Sequence, residues 1–216
     1  MTRDRARKLR MAALMVAAAL VTAACNSATV KKSKATPARI ETPDEYSFTI
    51  TERARIGSNV RSDYDRAIAL LEQGNAAEGI ELLEQVAATA PNLSAPHIDL
   101  GVAYHRAGNL EAAEKNLKLA LEANPSHPTA HNELGIIYRK TARFADARRS
   151  YEAALQIYPG YHYARRNLGV LCDLYLADAQ CALENYEAYM NLVHGDPEVE
   201  MWLTALRYRI GDTEAQ

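Results

Sequence analysis

With 216 residues the chain is long enough for one sizeable domain with appendages and short for two large ones. Five of its 25 basic and one of its 27 acidic residues fall before residue 25, so the remainder carries 20 against 26, a net charge of −6. An acidic body repels the phosphates that supply most non-specific nucleic-acid affinity, so no nucleic-acid partner is expected.

The chain opens on five basic residues (Arg3, Arg5, Arg7, Lys8, Arg10) and then runs from Met11 to Ala24 without a charge. A spanning helix needs roughly 20 apolar residues, so this run is short for an anchor and suited to a secretory signal over residues 1–24. It ends Leu20-Val21-Thr22-Ala23-Ala24-Cys25. Small residues ahead of a cysteine resemble a bacterial lipobox, which implies Cys25 as the lipidated first residue of the mature chain, although Thr22 stands where leucine is commonest. The alternative is ordinary cleavage after Ala-x-Ala with Cys25 a bystander. In lipoproteins of this kind, the asparagine at position 26 points to the outer rather than the inner membrane.

Residues 25–45 then read as a flexible tether, rich in Ser, Thr, Ala, Lys and Pro and without an apolar period. Lys31, Lys32 and Lys34 there are either solvated or laid against anionic headgroups. Within the next segment, 46–59, Tyr46-Ser47-Phe48-Thr49-Ile50 alternates large apolar and hydroxyl residues. That predicts a short strand, either an arm packed on its own domain or an edge for a partner.

From Val60 a 34-residue clock runs: Pro91, Pro125 and Pro159 keep it, as do Gly74 and Gly108, with Ala142 next in line. Leu100-Gly101 with Tyr104, then Ala113, Leu117, Ala120 and Pro125, recur as Leu134-Gly135 with Tyr138, Ala147, Tyr151, Ala154 and Pro159. The pattern resembles the tetratricopeptide repeat, which implies an all-α superhelix of antiparallel helix pairs. About four units are predicted, 60–93, 94–127, 128–161 and 162–196, followed by a capping helix and tail at 197–216. The first unit is degenerate, with Ala67 and Gly79 exchanging the small positions. The fourth keeps Leu168-Gly169, has Cys172 for the tyrosine, and then falls one residue late at Ala182, Tyr186 and Tyr189. An insertion in the turn near Asp178 is the expected cause. Val199, Trp202, Leu203 and Leu206 keep helical spacing in the cap. Sterically, Gly101 against Ala113 and Gly135 against Ala147 are expected to let each pair close, with the bulky positions filling the space between pairs.

The chain has no Gly-x-Ser-x-Gly, His-Glu-x-x-His, phosphate loop or dinucleotide fingerprint. His127 and His131 have a chelating spacing, but Pro128 intervenes and His97 holds the same repeat place as His131. No catalytic residue, cofactor, metal or small-molecule substrate is therefore expected. Cys172 and Cys181 face each other across the predicted fourth hairpin, as a disulfide in an oxidising compartment or as two buried thiols.

The family resemblance implies binding of other proteins by the inner wall of the superhelix, from the first helix of each pair. The residues it assigns there are Tyr64 and Ile68; Ile98, Val102 and His105; Asn132, Ile136 and Arg139; and Tyr163, Arg166 and Val170. Lysine and asparagine of the chaperone-tail clamp are replaced by Ile98 and Val102, so that ligand is disfavoured. The expectation is a lipid-anchored adaptor on the periplasmic face of the outer membrane, binding proteins or peptides of an envelope machine: a pilus, a secretion system, a TonB or Tol-type system, or peptidoglycan enzymes. The rivals are a pilotin-like escort of a secretin and an envelope hydrolase or metal protein with a concealed site.

Overall fold

The computed structural model describes residues 39–41, 49–51 and 56–211. Cys25, and with it the expected signal and lipid anchor, lies outside the described residues. Strand β1 (Arg39–Glu41) pairs antiparallel with β2 (Thr49–Thr51), Ile40 opposite Ile50. β1 lies inside the stretch read as a tether, so regular backbone begins before the expected boundary at residue 45. Of the predicted strand, Thr49 and Ile50 fall in β2, while Tyr46 to Phe48 lie outside the described residues.

Four helix pairs and a final helix follow: α1 (Ser58–Glu72) with α2 (Ala76–Thr89), α3 (Ser94–Arg106) with α4 (Leu110–Ala123), α5 (Pro128–Lys140) with α6 (Phe144–Ile157), α7 (His162–Leu171) with α8 (Ala179–Leu192), and α9 (Pro197–Ile210). Each pair packs on itself, and its second helix packs on the first helix of the next pair. Apolar clusters repeat along the stack: Ala67, Leu83 and Leu100; then Ala113, Leu117, Leu134 and Ile137; then a larger one around Tyr151, Leu171, Tyr186 and Leu206. Nearest-neighbour burial of this kind makes the stability of a solenoid a sum over repeats and their interfaces. Among the described residues no helix is long and apolar enough to cross a membrane.

The glycines explain why the pairs close. A Cβ on Gly101 would lie 2.6 Å from Leu117 Cγ, one on Gly135 2.5 Å from Tyr151 Cε1, and one on Gly169 2.6 Å from Tyr186 Cδ1. The partner is therefore the bulky residue of the second helix, one turn beyond the expected Ala113 and Ala147. These alanines are themselves fully buried. A small residue on one helix receives a large one from the other.

The turn inside each pair is set by a left-handed residue. Gly74 (φ +84°) and Gly108 (φ +81°) supply it at no steric cost, whereas Ala142 takes φ 58° in the third pair. The amide of the next residue then reaches back to the first helix: Asn75 N–H to Leu70 O (2.9 Å), Asn109 to Tyr104 (2.9 Å), Arg143 to Tyr138 (2.8 Å). In the fourth pair the equivalent bond runs from Asp178 N–H to Cys172 O (3.0 Å), one residue longer. The inserted residue sits in a π-helical turn, Cys172–Leu176, and not in the inter-helix turn as expected. The i→i+5 bonding of a π turn absorbs one extra residue while the helix continues. Ala177 (φ 52°) keeps the left-handed role and Asp178 caps α8, accepting from Cys181 N–H at 3.1 Å. Cys172 and Cys181 are joined as a disulfide across this turn, their Cα atoms 5.9 Å apart.

Candidate partner-binding groove

The first helices α3, α5 and α7 touch one another in succession and form one continuous row. Side chains of neighbouring copies meet along it at a constant step. The Tyr64 hydroxyl donates to Asp99 Oδ2 at 2.5 Å, and Asn167 Nδ2 donates to Asn132 Oδ1 at 2.9 Å, each across 35 residues. Further along, Arg166 reaches Glu198 at 2.6 Å and lies 4.8 Å over the Trp202 ring.

Of the residues expected to line the wall, Tyr64, Ile68, Val102, His105, Ile136, Arg139, Arg166 and Val170 are half-buried and Tyr163 is exposed. Two are not surface residues. Ile98 is 6% exposed and packs with Ala120 and Ala130 between repeats. Asn132 is 2% exposed, with its amide on Glu133 Oε1 (3.1 Å) as well as on Asn167. The fifth position of a unit thus touches the next unit in each copy, and at Ile98 and Asn132 the side chain is buried there and leaves the groove.

Between α1 and α3 the row opens into a cleft of about 400 Å³. Ile68, Leu71 and Val102 supply its apolar wall, and Glu72, Asp99 and Arg106 its polar one. Burial pushes the Asp99 carboxyl up, and the Tyr64 hydroxyl partly offsets this. Glu133, the next copy of that position, is likewise pushed up by burial, with Asn132 and the nearby Arg106 pulling it back. Cations gather at the C-terminal ends of α3 and α5. His105 is held below its ordinary range first by burial and then by the fields of Lys140, Arg106 and Arg139. The Arg139 guanidinium lies 5.7 Å from the Tyr175 ring, which in turn stacks on Phe144 at 4.9 Å. Asp99, Arg106, Glu133 and Lys140 were missed by the sequence reading, yet Asp99 and Glu133, like Arg106 and Lys140, are 34 apart and could have been found by following the clock one residue further.

These side chains can recognise and hold. They place no nucleophile beside a base. His127 accepts from Ala130 N–H (3.4 Å) at the start of α5, and His131 Nε2 lies 3.0 Å from Pro125 O, so the two are drawn to separate backbone partners. The only cluster of three metal-ligating side chains among the described residues is Cys172, Asp178 and Cys181, where both sulfurs are bonded to each other.

A stack of helix pairs with a side-chain-lined inner row defines a solenoid binding protein. The tetratricopeptide repeat profile matches residues 64–128, 98–162 and 132–172, just over half of the 216 residues, and the chain belongs to that family, whose members bind other proteins. Its fold is similar to that of PilF of Pseudomonas aeruginosa at 20% identity and a TM-score of 0.65, covering 71% of this chain and 69% of that one. It is also similar to MamA of Desulfovibrio magneticus (20% identity, TM-score 0.63, 73% and 89% covered). A thermophilic repeat protein of Thermus thermophilus gives 22% identity and a TM-score of 0.59, with 70% and 82% covered. At such identities the likeness is one of fold. No curated protein matches the sequence.

Proposed function

We propose that this chain is an exported adaptor, lipid-anchored through Cys25 at the periplasmic face of the outer membrane, whose inner row of first helices holds protein partners of an envelope machine. The observation that carries the binding half is the cleft between α1 and α3, apolar along Ile68, Leu71 and Val102 and edged by Glu72, Asp99 and Arg106. An apolar pocket with a few directed polar groups is what a bound peptide side chain requires. The anchoring half rests on the lipobox-like run ending at Cys25 and on the basic and apolar segments before it.

Two experiments test the halves separately. A photo-crosslinking residue at Val102 or Ile136 should trap an envelope protein in cells, while the same residue at Lys115, on the second-helix side, should not. Equal capture from both sides would end the groove reading. Labelled palmitate should enter the wild-type chain and not Cys25→Ser, which should also leave the membrane fraction. Unchanged labelling of Cys25→Ser would end the lipoprotein reading.

A further inference from the structure

The repeat register does not stop at the cap. Counted from the fourth unit with its extra residue, Val199, Leu203 and Leu206 take the places of Ala164, Leu168 and Leu171, and all six are buried. Helix α9 therefore takes the place that a first helix holds in each pair. Where the glycine of the pair would stand it has Thr204, which is exposed. Since even a Cβ at the glycines of three earlier pairs would come within 2.6 Å of the second helix, Thr204 rules out that mode of packing on α9.

The same register sends Met201, Ala205 and Tyr208 to the positions of Arg166, Val170 and Asp173, on the inner row. Met201 is 62% and Tyr208 87% exposed, and both border a broad depression with Trp202. The inner row thus has an apolar cleft at one end and an apolar shelf at the other. Arg106 stands at the edge of the cleft and Arg139 and Lys140 between it and the shelf, none of which makes an ion pair among the described residues, while His105 beside them is held below its ordinary range by burial. Glu133 offsets part of the charge of Arg106. Of the acids nearer the shelf, Asp173 is taken by Arg209 and Glu198 by Arg166, while Glu200 borders the depression itself and sets the limit of the basic stretch.

We propose that the groove takes one segment of a partner protein carrying two apolar anchors with carboxylates between them, the first anchor in the Ile68–Leu71–Val102 cleft and the second on Met201, Ala205 and Tyr208. This rests on the groove reading above and specifies its ligand. Three to four helix spacings of about 8–10 Å separate the subsites, so the anchors stand at least about eight residues apart in an extended segment. Charge complementarity selects the acidic middle, because like charges would face one another there at real cost.

The test is a phage-displayed library of random 20-residue peptides panned on the full-length chain, with the enriched peptides then synthesised and measured by fluorescence anisotropy. Enriched peptides should share an acidic block flanked by two apolar residues eight or more apart. Met201→Ser/Tyr208→Ser should weaken them on the order of tenfold, as loss of an interface anchor does. Arg106→Glu/Lys140→Glu should abolish binding and enrich basic peptides in a repeated selection. If Val102→Glu, or Val102→Ser where folding suffers, releases the peptides but the α9 variant does not, the second subsite is wrong and the groove stands. If neither variant matters, or no peptide is enriched, both readings fall.

Discussion

The interface between the second and third helix pairs and that between the third and fourth use the same two positions with their charges exchanged. In the former, Glu114 of α4 accepts from Arg143, the residue that opens α6. In the latter, Arg148, 34 residues after Glu114, donates at 3.0 Å to Asp178, the residue that opens α8. The second interface carries the inserted residue and still makes the pair, because the π turn takes up the extra length before the cap is reached. What the repeat conserves is a geometry. Which member is acidic is free, and a local helix distortion leaves the contact standing.

The comparison can be broken most severely at the glycines, which both regions share. Gly135→Leu should cost about 1–3 kcal/mol by overpacking against Tyr151, and Gly169→Leu a similar amount against Tyr186. Urea midpoints equal to wild type would show that the pairs do not close on these residues. The disulfide separates the two regions. Cys172→Ala/Cys181→Ala should lose about 2–3 kcal/mol from the ten-residue loop, read as a drop in unfolding midpoint that reductant reproduces in the wild type. An unchanged midpoint would mean that the π turn holds its own geometry.

Smaller effects sharpen the picture. Ala142→Gly and Ala177→Gly should each stabilise by about 0.5–1 kcal/mol, since both residues sit at positive φ where the first two pairs have glycine. A lower melting temperature in either would contradict the turn assignment. Glu114→Arg or Arg143→Glu alone should destabilise by about 0.5–1 kcal/mol, and the double exchange should recover part of it, because it restores the pair across the interface but sets a like charge against Lys118, where Arg148 has Glu152. Failure of the double variant to recover would show that the interfaces are not interchangeable. The same pair sets a pH dependence: Arg143 holds Glu114 down to about 2, so its contribution is complete above the unfolded carboxylate value near 4.5 and fades as pH falls towards 2. Arg143→Gln should move that loss to higher pH in an acid titration of stability.

Much of this architecture is legible in the chain alone. A clock of 34 residues, with small residues, large residues and prolines each at a fixed phase, determines helix pairs and their order, because each phase has one steric task that only certain side-chain sizes perform. The same argument was one helical turn out at the pair contact: Ala113 and Leu117 both lie on the face of α4 that meets α3, and spacing does not tell which of them faces Gly101. Nor did it separate Ile98 and Asn132 from the groove. Their burial depends on how closely neighbouring first helices approach and on what stands at Ala120, Ala130 and Asn167, residues far off in sequence.

The repeat identity comes from the sequence, where a fixed phase of small, large and proline residues suffices, and the proposal of an N-terminal export signal rests on local order of charge and polarity alone. The placement of the inserted residue, the exchanged ion pairs and the continuation of the inner row onto α9 were decided by tertiary structure, because each depends on which side chains distant in the chain come within a few ångströms of one another.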